Sequence, residues 1–143
     1  MLIGEYQHAI DEKGRLTMPS KLREHLGDRF IIARGLENCL FVFPMPEWER
    51  LQRRLTQLSL TKSDARAFTR FLFSGATEGE FDRQGRVLIP QNLREYSSIE
   101  KDVVVIGVST RVEIWSAQNW EDYKRRTDVS YEDIAEKLAD FDL

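Results

Sequence analysis

The sequence predicts an α+β fold, rich in β-structure, in which two tandem units close into one pseudo-twofold body. Three observations carry this. The stretch DEKGRLTMPSKLRE, residues 11–24, returns as DRQGRVLIPQNLRE, residues 82–95, with seven of fourteen positions identical at an offset of 71. Short apolar-alternating runs bounded by Gly, Pro and Asp recur in both halves, which is how strands and turns read. Longer segments with apolar residues at helical spacing follow the strands in each half. Two repeats are too few for a solenoid, and a half of about 70 residues buries too little surface to be secure alone.

The elements follow in order. Residues 5–10, EYQHAI, alternate as a strand with Tyr6, His8 and Ile10 on one face. DEKG is a turn, in which Asp11 accepts local N–H groups and Gly14 supplies a positive φ. RLTMP is a strand stopped by Pro19, so residues 5–19 read as a hairpin. Ser20 to Leu26 fits a short helix, with Pro19 near its start and Gly27 at its end. RFIIAR and CLFVF are strands around the turn GLEN. PMPEWERLQRRLTQL opens a helix with Trp48, Leu51, Leu55 and Leu58 on one face, and SDARAFTRFLFSGA a second with Phe68, Phe71 and Leu72. This second helix joins the halves and either covers the sheet or meets another subunit. The second half repeats the order: EGEF, the turn DRQG, RVLIP, the short helix NLREY, the strands DVVVIGV and VEIW, and a helix from QNWEDYKRR. An inserted residue moves the offset to 72, aligning Gly35 with Gly107, Phe43 with Trp115 and Trp48 with Trp120. The tryptophans follow the strand or helix period and are expected in core or interface.

Composition excludes several classes. The chain has 143 residues, 41% hydrophobic and 31% charged, as in soluble globular proteins. No apolar run is long enough to span a bilayer, and the N-terminus lacks the pattern of a signal peptide. The single cysteine, Cys39, fits a reducing cytoplasm and is expected as a small buried side chain. The net charge of −3 hides a sorted distribution. Residues 13–23 and 83–94 carry only basic charges, whereas residues 128–143 carry six acidic residues against Lys137. Local fields matter more than the total for steering a polyanion. His8 and His25 lie in no metal-spacing motif, and no P-loop, GxGxxG or GxSxG occurs, so no enzyme, cofactor, metal or small-molecule substrate is expected.

The chemistry sits in the repeated Asp-x-x-Gly-Arg. The glycine lets the chain reverse, and Arg15 and Arg86 emerge beside it on stiff strands. Each guanidinium can staple its own turn to Asp11 or Asp82, or project to phosphate or the O6/N7 edge of guanine, and an Asp can aim an Arg that does both. Lys13, Lys21 and Arg83 are further candidate phosphate contacts. Arg23 and Arg94 read as helix-face partners of Glu24 and Glu95. Arg50, Arg53 and Arg54, like Lys124, Arg125 and Arg126, read as solvated helix faces.

Two complete Asp-x-x-Gly-Arg copies, each followed by hydrophobic-x-hydrophobic-Pro and joined by a helical segment, resemble the MraZ family over essentially the whole chain, from EYQHAIDEKGRLTMPSKLRE to SGATEGEFDRQGRVLIPQNLRE. The resemblance implies SpoVT–AbrB-type swapped-hairpin units, residues 1–74 and 75–143, interlocked as a pseudo-dimeric barrel with flanking helices. It implies a homo-oligomeric ring, cytoplasmic and nucleoid-associated, that binds direct repeats in double-stranded promoter DNA. It also implies regulation of the division and cell-wall gene cluster, with repression of the protein's own operon. The family's contact motif falls on Asp11, Gly14 and Arg15, and on Asp82, Gly85 and Arg86. The arginines touch DNA, and the aspartates orient them. The acidic tail, residues 128–143, amphipathic through Ile134 and Leu138, is expected as a solvated or subunit-packing helix away from DNA. Two other readings stand beside this one: an antitoxin-like protein-interaction module, disfavoured by the duplicated fold and short tail, and a structural ring in which Asp11–Arg15 is only a staple.

Overall fold

The computed structural model describes residues 1–138. Its elements are β1 (Leu2–Ala9), β2 (Arg15–Thr17), α1 (Ser20–Leu26), β3 (Arg29–Arg34), β4 (Leu40–Pro44), α2 (Met45–Leu55), α3 (Ser63–Gly75), β5 (Thr77–Glu80), β6 (Arg86–Leu88), α4 (Gln91–Tyr96), β7 (Asp102–Ser109), β8 (Val112–Ser116) and α5 (Ala117–Glu136). The fold is α+β with antiparallel strands. A six-stranded sheet runs β1-β7-β8-β4-β3-β5, and β2 pairs with β6 in a separate two-stranded ribbon.

The halves exchange strands. β1 of the first half pairs along its whole length with β7 of the second, from Leu2↔Ser109 to Ala9↔Asp102. β5 of the second half pairs with β3 of the first. The expected local hairpins are therefore replaced. Only the bridge Ile10↔Leu16 continues the first turn, after which β1 enters the large sheet and β2 crosses to β6. The physical reason is bonding between the repeats: crossing brings the Met18 N–H to Gly85 O and the Ile89 N–H to Gly14 O, and pairing β2 with β6 covers both edges. The strand pairings also leave β1 and β5 as the two ends of an open sheet, so the barrel is not closed.

One core serves both halves. Side chains alternate across the strands: Phe30 and Ile32 of β3, Leu40 and Val42 of β4, Val103 and Val105 of β7, and Val112 and Ile114 of β8 face inward. Leu16 and Met18 from the first repeat meet Val87 and Ile89 from the second in the same cluster, with Leu22 and Leu93 of the short helices. The opposite faces of the strands take the longer helices. Ile31, Ala33 and Phe43 pack under α2 and α3 with Trp48 and Leu72. Val104, Ile106 and Trp115 pack under α5 with Trp120 and Tyr123. Trp48 and Trp115 are buried and Trp120 is half-buried, as the periodicity predicts. Cys39 is buried, and its thiol donates to the Leu36 carbonyl at 3.2 Å.

In α3 the predicted stripe is rotated. Leu72 and Gly75 face the sheet and Phe73 stands against Trp48 at 5.4 Å between ring centres, while Phe68 and Phe71 are exposed. Gly75 lets Arg34 lie against the helix, so that edge faces the protein in place of Phe68. Leu58, expected on the α2 stripe, falls past the helix end and is also exposed.

Candidate nucleic-acid interface

The two repeated turns have the same geometry. Asp11 Oδ1 accepts the backbone N–H groups of Lys13 at 2.9 Å and Arg15 at 2.8 Å, and its Oδ2 accepts Arg15 Nε at 3.0 Å. Asp82 Oδ1 accepts the N–H groups of Gln84 and Arg86, both at 2.9 Å, and its Oδ2 accepts Arg86 Nε at 2.8 Å. The Gly14 N–H closes the first turn on Asp11 O and the Gly85 N–H the second on Asp82 O, each at 3.0 Å. Both glycines have positive φ, 84° and 74°, which other residues rarely adopt. The Arg15 backbone N–H holds the Asp11 carboxyl below its ordinary value; burial opposes it, and the Arg15 guanidinium adds to the lowering. Arg86 does the same for Asp82.

Each loop is also locked to the other. The Met18 N–H donates to Gly85 O at 3.0 Å, and the Ile89 N–H to Gly14 O at 2.8 Å. Arg23 packs on Gly85 and Arg94 packs on Gly14, so each short-helix arginine braces the turn of the other repeat. Arg23 Nη1 donates to Met18 O at 3.3 Å, and Arg94 Nε to Ile89 O at 2.9 Å. This corrects the predicted pairing with Glu24 and Glu95. Residues at i and i+1 on a helix point apart, so those partners were never in reach.

The ribbon register is Arg15↔Leu88, Leu16↔Val87 and Thr17↔Arg86. Leu16 and Val87 point into the core. The other face carries Arg15, Thr17, Arg86 and Leu88, with Thr17 and Leu88 exposed and the arginines half-buried. Arg15 and Arg86 are diagonal neighbours, about 7–8 Å apart at their Cα atoms. Each aspartate binds Nε, and the Nη groups of Arg15 and Arg86 meet no hydrogen-bonding partner among the described residues. An arginine fixed at Nε and open at Nη keeps its donor fork aimed while leaving it available to an acceptor.

The turns lie at opposite ends of the ribbon, which places Lys13 at one end and Arg83 at the other, both exposed. Lys21 is exposed in the first turn of α1. The two ends differ in charge: Glu12-Lys13 in the first turn stands where Arg83-Gln84 stands in the second. Sequence reasoning missed Thr17 and Leu88, although the alternation Arg15-x-Thr17 and Arg86-x-Leu88 puts them on the arginine face. It also missed the braces Arg23 and Arg94, for which no local signal exists.

Fold and site together define a class: internally duplicated α+β proteins whose halves exchange strands and present two aspartate-braced arginine turns on one shared ribbon. The family model described as "MraZ protein, putative antitoxin-like" matches residues 1–71 and again 72–142. The chain is 59% identical over 143 residues, the full length of both chains, to the transcriptional regulator MraZ of Moorella thermoacetica. It is 58% identical, again at full length, to the protein of that name from Thermoanaerobacter sp. strain X514, and 54% to that from Natranaerobius thermophilus. The chain belongs to the MraZ family.

Proposed function

We propose that the protein is a sequence-specific DNA-binding transcriptional regulator. The observation that carries this reading is the outward face of the β2–β6 ribbon, with Arg15 and Arg86 each pinned at Nε and open at Nη. The major groove of B-DNA admits a two-stranded ribbon, and a guanidinium fork pairs with the O6 and N7 of guanine. Two residues along a strand cover about 7 Å, comparable to two base-pair steps of about 3.4 Å each. Arg15 and Arg86 read bases or grip phosphate, Thr17 and Leu88 fill the space between them, and Lys13, Lys21 and Arg83 contact the flanking phosphates. Asp11 and Asp82 orient the arginines, and Gly14 and Gly85 permit their turns. The relatives named as transcriptional regulators support the same reading.

The finer reading rests on the family resemblance. The protein regulates the division and cell-wall gene cluster and represses its own operon by binding direct repeats in the promoter. It works as a homo-oligomeric ring in the cytoplasm, at the nucleoid, with successive subunits engaging successive repeats so that weak contacts add through effective concentration. Two swapped-hairpin units in a pseudo-dimeric arrangement are the corresponding account of the fold.

The test is Arg15→Ala, read by titrating a labelled duplex of the protein's own promoter. The variant is expected to keep its melting temperature and oligomer mass and to lose promoter binding, with Arg86→Ala showing a smaller or equal loss. Unchanged affinity and salt slope for Arg15→Ala would show that the Asp–Arg turn is only a staple.

A further inference from the structure

The outward face of the β2–β6 ribbon is symmetric in its arginines and asymmetric between them. At the repeat offset Arg15 corresponds to Arg86 and Thr17 to Leu88. The register sets Arg15 opposite Leu88 and Thr17 opposite Arg86. The Ile89 N–H donates to Gly14 O and the Met18 N–H to Gly85 O. By the alternation of an antiparallel ladder, Arg15–Leu88 and Thr17–Arg86 are then the non-hydrogen-bonded pairs, whose side chains stand closest. The four outward side chains form a square, with arginines on one diagonal and Thr17 and Leu88 on the other. A half turn about its centre exchanges the arginines, and only the difference between Thr17 and Leu88 records that the face has been turned.

The fold gives no reason for Leu88. Its neighbours Val87 and Ile89 are buried, whereas Leu88 points outward and is 57% exposed. It belongs to none of the three apolar clusters among the described residues. Threonine, which stands at the counterpart position, is the better strand residue, so propensity gives leucine no advantage there. A bare leucine directly opposite Arg15 meets whatever the Arg15 fork meets.

We propose that Leu88 is a specificity-determining residue, which takes the C5-methyl of a thymine beside the guanine held by Arg15 and so gives the ribbon a direction on the duplex. This rests on the DNA reading and deepens it. The thymine methyl is the apolar group that a base pair shows in the major groove. Against any other base edge Leu88 covers a donor or acceptor and leaves it without a partner, which is unfavourable. Thr17 carries a hydroxyl that donates or accepts, so it tolerates several bases. Lys13 and Arg83 also differ from their counterparts, Gln84 and Glu12, but they stand in the turns at the ribbon ends. Their contacts are to phosphate, which carries no base information.

The test replaces thymine by deoxyuridine, which removes the methyl and keeps the hydrogen-bonding edge. Duplexes of the protein's own promoter carry the replacement one thymine at a time, and each is titrated with full-length protein. The parent is expected to lose about fourfold in affinity, the effect of one buried methyl-sized group, at a thymine beside a guanine whose N7 protection depends on Arg15. Leu88→Ala is expected to lose most of that sensitivity. Thr17→Leu with Leu88→Thr exchanges the corners of the square. It is expected to stay sensitive at the same thymine with the ribbon turned round, so that the neighbouring guanine depends on Arg86 in place of Arg15. Thr17 and Leu88 are both exposed, so these variants keep the parent's melting temperature. Packing of Leu88 on the Arg15 stem alone would lower affinity for thymine and uracil duplexes equally. A parent indifferent to every replacement, a Leu88→Ala variant as sensitive as the parent, or an exchanged variant that still reads the guanine through Arg15 overturns the inference. In each of these cases Arg15→Ala still loses promoter binding, so the DNA reading stands. A parent without promoter affinity, or an Arg15→Ala variant that binds as the parent does, overturns both.

Discussion

Replacing Gly85 by alanine tests the lock between the repeats. The residue has φ 74°, so any side chain there holds a left-handed backbone conformation, at a cost of about 1–2 kcal/mol. A Cβ would also lie 2.6 Å from Arg23 Cζ and overlap its Nη1. Arg23 is flexible enough to move, but doing so breaks its bond to Met18 O, worth about 0.5–1.5 kcal/mol net. The sum is about 1.5–3.5 kcal/mol. At Gly14, φ is 84° and the Cβ would stand 3.0 Å from Arg94 Cζ, a contact relieved by a small shift. Gly14→Ala should therefore cost only the backbone term, about 1–2 kcal/mol. Urea unfolding of both variants measures the difference. In an Arg23→Ala background the Gly85→Ala cost should fall to that of Gly14→Ala, a non-additivity of about 1 kcal/mol. Equal costs in the parent background, or additivity in the double variant, would refute the packing of Arg23 across the repeat.

Two further outcomes follow from the same geometry. Asp11 and Asp82 are held below their ordinary carboxylate value of 3.8 in the folded protein, so the unfolded chain takes up protons first as pH falls. Their contribution is complete above the unfolded value and is lost as pH drops through the lower folded values. Acid unfolding of the Asp11→Asn/Asp82→Asn variant should be less steep in that window than the parent's, and an identical acid limb would contradict the bond set. Burial pushes the Cys39 thiol well above its ordinary value, with Glu113 acting in the same direction. A thiol reagent at neutral pH should leave native protein unmodified and label it promptly in denaturant, and rapid native labelling would place Cys39 elsewhere.

What could be read in the sequence was local. Asp11 and Gly14 mark a turn by their own backbone chemistry, Pro19 and Gly27 bracket a helix, and the apolar run DVVVIGV marks a strand. Each of these needs only neighbours along the chain. The strand partners were not local. Leu16 and Val87 are buried whether β2 pairs with its own half or crosses to β6, so their hydrophobicity does not choose, and the three-residue strands hold too little register to decide. The choice is made by long-range bonds such as Met18 N–H to Gly85 O, which no periodicity encodes. The site shows the same division. Arg15 and Arg86 stand out through the repeat, but that they share one face follows only from the crossed ribbon. Arg23 looked like a helix-surface charge because its true contact, Gly85, is 62 positions away. For the acidic tail, α5 reaches Glu136, with Ile134 exposed on the helix and Leu138 exposed beyond its end, and residues 139–143 lie outside the described residues.

The central claim is that the two repeats jointly build one ribbon whose arginine face enters the major groove. Methylation protection reports it most directly, because dimethyl sulfate attacks guanine N7 on that side. With the protein on its own promoter, guanine N7 positions within the bound site are expected to be protected. Arg15→Ala should lose that protection, and Arg86→Ala should lose it at a position displaced by about two base-pair steps. Undiminished N7 protection by a double Arg15→Ala/Arg86→Ala variant, or binding that leaves every N7 in the bound site reactive, would contradict the account.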